Sequence, residues 1–332
     1  MRYIDSVPVL RHVHSEAIKS PQLVEHYNIA VDTDSELLSG EQVIHVGVAD
    51  VESPKGIIFV PSSWSDYSSR PFQELRLGVM AKYSGMRVIG LDYPGMGDFE
   101  GGRGDELSEN QLQEARNGRM QSLVGNYWAA LDQAELLTDE SQNKLPFAFW
   151  GNSLSSLTAS EMLASAPEGH SITDVHLSEI MALEKMLTAR LAARFAIKGS
   201  KDLDVYLAMN SSLPEYESSG LDGLKKQVLA QKQSHWAAVA TLAKGRQTDV
   251  IKEAFMSGRL DLDKEHGTTL HVVSAEFGLT KAGKVDQFLN YLTSNRIFTR
   301  QDRLTGEGHG YQDSLPAVID QLGYLTMLPA KN

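Results

Sequence analysis

The chain has 332 residues, of which 42% are hydrophobic and 22% charged, the balance of a soluble globular protein and not of a disordered chain. Its formal net charge of −12, from 31 basic and 43 acidic residues, argues against a phosphate-backbone partner, which needs concentrated Lys and Arg, so no nucleic acid is expected. The absence of cysteine excludes thiol nucleophiles, disulfides and Cys-based metal sites. No apolar run is long enough to span a bilayer, and the first residues lack the apolar segment of a secretory signal, so a cytoplasmic protein without a membrane span is expected.

In chain order, His12 and His14 would share a strand face, but no further ligand cluster stands near them and no metal is expected there. Val24 to Val31 and Glu41 to Val48 read as two strands of an antiparallel sheet edge, separated by the polar turn Asp32-Thr-Asp-Ser-Glu. Gly56 to Pro61 has the pattern of a buried strand and runs into the polar turn Ser62-Ser63-Trp64-Ser65-Asp66. Pro71 to Ser84 reads as a helix and Met86 to Asp92 as the next strand.

The glycine-rich run Tyr93 to Gly104 lacks the Lys-Ser/Thr of a P-loop and contains acids, which argues against nucleotide binding. Asn110 to Leu137 reads as one long helix. Phe147 to Trp150 is a short apolar strand, and Leu154, Leu157 and Met162 to Ala164 fit one face of a helix, so Ser153 stands at the bend between them. A Gly-Asn-Ser turn before a helix also serves as an ordinary N-cap. Ile172 to Ile180 reads as a sixth strand.

From about Met181 to Leu260 the alternation of strand and helix gives way to successive helical patterns. It resumes with a strand at Thr269 to Ser274 that ends before Glu276, a helix at Gln287 to Thr293, a strand at Arg296 to Leu304, the loop Thr305-Gly-Glu-Gly-His309 and a closing helix at Pro316 to Leu325. Alternation on this scale predicts a parallel sheet with helices on both faces.

Gly151-Asn152-Ser153-Leu154-Ser155 resembles the G-x-S-x-G nucleophile elbow of the α/β-hydrolase superfamily, with serine in place of the last glycine. Asp92-Tyr93-Pro94-Gly95-Met96-Gly97 resembles the D-x-P-G-x-G that follows that family's fourth strand, and Gly306-Glu-Gly-His309 resembles its histidine loop. The resemblance covers most of the chain and implies an α/β-hydrolase fold, a mostly parallel eight-stranded sheet with helices on both faces and a helical cap insertion. The implied core is residues 1–180 and 263–332, with a cap at 181–262 that roofs the pocket.

A serine hydroxyl needs an imidazole to take its proton, and the imidazole needs a carboxylate to fix its tautomer. The resemblance implies Ser153 as nucleophile, His309 as base and Glu276 as acid, in the order serine, acid, histidine. Glu179, at the end of the sixth strand, is the alternative acid, and Asp286 a more distant one. The backbone amides of Leu154 and of Ser63, or of Ser62, would form the oxyanion hole.

The implied activity is that of a serine esterase or thioesterase acting on a small-molecule acyl substrate, without a cofactor or metal. The Leu, Met, Ala and Trp residues of the cap suggest a mainly apolar acyl group. Acyl transfer, carbon–carbon bond hydrolysis, whose enzymes often carry a Gly-Asn-Ser elbow, and a non-catalytic binding module are the alternatives. The sequence leaves the oligomeric state open.

Overall fold

The computed structural model describes residues 24–32, 41–61, 71–94, 107–180, 247–260, 268–277, 282–294, 299–308, 315–323 and 325. Its centre is an eight-stranded sheet of β1 (Glu25–Asp32), β2 (Glu41–Ala49), β3 (Ile57–Pro61), β4 (Arg87–Leu91), β5 (Phe147–Asn152), β6 (Ile172–Ser178), β7 (Thr269–Phe277) and β8 (Thr299–Gly308). The spatial order is β1-β2-β4-β3-β5-β6-β7-β8, and only β2 runs against the others. β3 and β4 are buried along their whole length, which is why they read as continuous apolar runs without alternation.

Seven helices flank the sheet among the described residues: α1 (Pro71–Ser84), α2 (Glu109–Arg116), α3 (Gln121–Gln133), α4 (Ser155–Ala164), α5 (Gln247–Met256), α6 (Ala282–Ser294) and α7 (Leu315–Leu322). Leu77, Met80 and Ala81 of α1 and Val318 and Leu322 of α7 pack with Ile58, Val60, Val88, Ala148 and Trp150 on one face. The larger core, on the other face, joins α2 to α6 to Phe59, Phe147, Phe149, Val175, Leu177 and Val272. Phe59 meets Phe147 edge-on at 4.9 Å and Trp128 edge-on at 5.2 Å, so aromatic packing locks β3, β5 and α3 together at the middle of the sheet.

Several elements differ from the sequence reading, and α6 begins at Ala282, five residues before the expected Gln287. The long helix expected over Asn110–Leu137 is two helices, because Gly118 takes a left-handed φ of 76° after Asn117 and ends α2. β7 continues through Glu276 to Phe277, and β8 includes Thr305 to Gly308, so residues read as loop belong to the ladder. The seam between these strands is irregular from Ala275 to Phe277, which no hydrophobic pattern announces.

The start of α3 lacks a side-chain cap of its own, and the buried Glu161 of α4 supplies one by accepting from the Met120 backbone amide. Arg119 lies 3.5 Å from Glu161 and also pairs with Glu253 of α5, so one node ties three helices. Burial pushes the Glu161 carboxyl up to about 7, against the opposing pull of the Met120 amide and Arg119. Helix α5, which the sequence reading assigns to the cap, packs Val250, Ile251, Ala254 and Phe255 into the larger core. Residues 181–246 of the expected cap, and His12 and His14, lie outside the described residues.

Candidate active site

Strand order decides where a ligand can sit. From β3 the chain moves to β4 on one side, then crosses back to β5 on the other side and continues outward through β6, β7 and β8. The carboxyl ends of β3 and β5 thus flank a topological switch point, where open parallel sheets leave a crevice. Pro61 ends one of these strands and Asn152 the other.

Ser153 follows Asn152 directly and holds a left-handed φ of 57°, a conformation that costs a non-glycine residue roughly 1–3 kcal/mol and survives only where the surroundings enforce it. The enforcing contacts are visible. The Ser153 amide donates to the Ser178 carbonyl of β6 at 2.9 Å, and the Ser153 carbonyl accepts from the Ser156 amide of α4 at 3.2 Å. Helix and strand approach so closely that a Cβ on Gly151 would stand 2.7 Å from Ser156 Cα and 2.8 Å from the Ser155 carbonyl oxygen, both backbone atoms. Glycine is required there for contact, not for its torsions.

The serine that replaces the last glycine of the elbow pattern has its own function. Ser155 Oγ accepts from the Asn152 amide at 2.7 Å and donates to the Asn152 carbonyl at 2.8 Å, which braces the turn from inside. Ser178 Oγ donates toward the Gly151 carbonyl at 3.3 Å and Asn152 Oδ1 at 3.2 Å, and Ser156 Oγ donates to the Ser178 carbonyl at 3.3 Å. Sequence reasoning missed Ser178; its only signal is a polar residue closing an apolar strand. Leu154 sits at the N-cap of α4, so its amide lies at the positive end of that helix dipole.

Beyond β6, Glu179 is buried, holds a left-handed φ of 49° and donates its amide to the Val273 carbonyl at 3.0 Å. Because Asn152 pairs with Ser178, Ser153 and Glu179 are equivalent positions one step past adjacent strand ends. The backbone of Glu276 lies in the irregular end of β7, where Phe277 pairs with Gly308, the residue before His309. Asp286 is exposed on α6 and takes no part in this row of strand ends. His309, Ser62 and Ser63 lie outside the described residues.

Among the described residues no helix is long and apolar enough to cross a membrane. No family model matches the sequence, and no curated protein matches it. Solved structures do. A bromoperoxidase from Bacillus anthracis superposes with a TM-score of 0.53 at 13% identity, covering 89% of this chain and 97% of that one. A 2-hydroxy-6-oxo-6-phenylhexa-2,4-dienoate hydrolase from Rhodococcus sp. strain RHA1 gives 0.50 at 13% identity, covering 90% and 98%. With its strand order, its helices on both faces and a strained serine at the switch point, the chain has the α/β-hydrolase fold that its motifs resemble.

Proposed function

We propose that the protein is a serine hydrolase that cleaves a carboxylic ester or thioester through an acyl-enzyme on Ser153. One observation carries this reading: Ser153 is held at a φ of 57° between β5 and α4, at the switch point and beside the amino end of a helix. Strain of this kind is retained where a side chain must be presented to a ligand.

In the proposed reaction Ser153 Oγ attacks the acyl carbonyl while His309 takes its proton, and His309 then passes that proton to the leaving alkoxide or thiolate. A water, deprotonated by the same imidazole, releases the acid and restores the serine. The amides of Leu154 and Ser63 hold the oxyanion in both steps. Glu276 orients His309; its support is that its strand end pairs with the residue before the histidine. Glu179, one strand nearer Ser153, is the competing acid. A helical cap over residues 181–262 with an apolar lining would favour a mainly apolar acyl group.

A fluorophosphonate probe should label the native protein at Ser153 and leave Ser153→Ala unlabelled, since only an activated serine reacts at a useful rate. Labelling at a different serine would sink the reading. Ser153→Ala and His309→Ala should each lower kcat by about 10³-fold or more, and comparison of Glu276→Gln with Glu179→Gln assigns the acid to whichever shows a similar loss. A panel of p-nitrophenyl esters and acyl thioesters of varied chain length sets the substrate class, and no turnover on any of them would favour a binding module. Carbon–carbon bond hydrolysis is a second reading, supported by the Gly151-Asn152-Ser153 elbow, and a vinylogous diketone belongs in the same panel.

A further inference from the structure

On the sheet face covered by α1 and α7, a polar row interrupts the smaller core. Trp150 of β5, His176 of β6 and His271 of β7 stand in register on three adjacent strands. The His176 ring lies flat on Trp150, with centroids 3.9 Å apart and planes at 19°, and its centroid is 6.3 Å from that of His271. All three residues are buried, and so are Arg76 of α1 and Gln321 of α7, whose side chains act on His176 from the covering helices.

This enclosure suits an imidazole in one charge state. An imidazolium taken out of water needs a carboxylate or strong acceptors around it. His176 is fully enclosed, and besides burial itself the groups that oppose a positive ring are His271 and Arg76. The Gln321 amide gives the charged ring some support, short of a well-formed hydrogen bond. Asp174, on the same strand, faces His271 at 3.7 Å. The balance holds His176 well below its ordinary value of 6.5, so the ring is packed neutral.

The two helices over the row are not equally secured. α1 has 14 residues and buries Arg76 to Ala81 without a break. α7 has 8 residues, and on its buried face the amide of Gln321 stands between Val318 and Leu322. Less apolar area holds α7, which makes it the cover that lifts at the lower cost. We propose that α7 is an acid-released clasp on this face of the sheet, seated while His176 is neutral and lifting away to let water reach the ring when His176 takes up a proton.

The sign follows from linkage. With α7 lifted, His176 titrates near its ordinary value, so as the pH falls the open form binds the proton before the seated form does. The clasp is therefore complete above about pH 6.5 and loosens below it, opening about tenfold more for each pH unit until the depressed value of the seated ring is reached. The chain from His309 leads directly into α7, so release would also free the segment that carries the proposed base, but the clasp itself does not depend on that reading.

Amide hydrogen exchange of the full-length protein, corrected for the intrinsic pH dependence of exchange, tests the inference without reference to any enzymatic activity. Between about pH 7.5 and about pH 5.5 the α7 amides should lose protection by about tenfold, and at the lower pH they should exchange faster than those of β3 and β4. His176→Gln removes the titration and should leave α7 protection unchanged over this range. Gln321→Glu sets a carboxylate beside the ring, favours the imidazolium in the seated form and should flatten or reverse the response, which guards against a His176 variant that fails to fold. A tenfold loss that persists in either variant would overturn the clasp. So would native α7 amides that show no loss, or that exchange only as fast as β3 and β4, since the helix would then open only with the whole sheet.

Discussion

At the scale of single residues, the elbow is enforced by contact on one side and by hydroxyl groups on the other. Gly151→Ala would drive a methyl group into the backbone of Ser155 and Ser156, which cannot yield as a flexible side chain would. We expect it to destabilise the protein by about 2–3 kcal/mol in urea denaturation, with fluorophosphonate labelling slowed as the turn is displaced. Ser155→Gly restores the family pattern yet removes the group that holds both polar atoms of the Asn152 peptide unit. It should cost about 1 kcal/mol, measured the same way, and a stabilised Ser155→Gly would refute the bracing role. Ser153 and its small neighbours were legible because a strained turn restricts residue type in a recognisable pattern. Ser178 and the left-handed Glu179 were not, since bracing by a hydroxyl and a single backbone torsion leave no periodicity.

At the scale of elements, the three-helix node makes the clearest prediction of pH dependence. Glu161 has an ordinary value of 4.5 and is pushed up to about 7 by burial, so between those limits the folded chain holds a proton that the unfolded chain has released. That stabilising contribution is complete below about pH 4.5 and is lost as the pH rises to about 7. Glu161→Gln keeps an acceptor for the Met120 amide and abolishes the titration. It should match the native protein at pH 4.5 and exceed its stability by on the order of 2–3 kcal/mol at pH 8 in urea denaturation, and equal pH profiles would show that Arg119 keeps Glu161 ionised. The node also shows what a pattern of apolar spacing hides. Leu112, Leu123 and Leu131 keep helical spacing across a break, and only the Asn117-Gly118 pair marks the stop.

At the scale of the whole molecule, alternating strand and helix patterns fixed the expectation of a parallel sheet, and β1 to β6 fall within a residue or two of their predicted positions. The later strands were harder, because Glu276 and the Thr305 to Gly308 run are polar or glycine-rich, so no apolar pattern announces the ladder that they join. Beyond the antiparallel edge formed by β1 and β2, spatial order was not legible, since hydrophobic pattern says which residues are buried and not which strands are neighbours. That order has a consequence for the chain while it is being made. The central strand β3 has β4 as a neighbour soon after synthesis, but its other partner, β5, is translated roughly 85 residues later. At about 5–20 residues per second the ribosome leaves Ile57-Ile-Phe-Val-Pro61 as an open, fully apolar edge for about 4–17 s. For that interval the nascent protein presents a sticky strand that only Phe147 to Phe149 can cover, so C-terminally truncated chains that stop short of the elbow should collect in inclusion bodies, and a holdase bound near the tunnel exit has this one segment above all to shield.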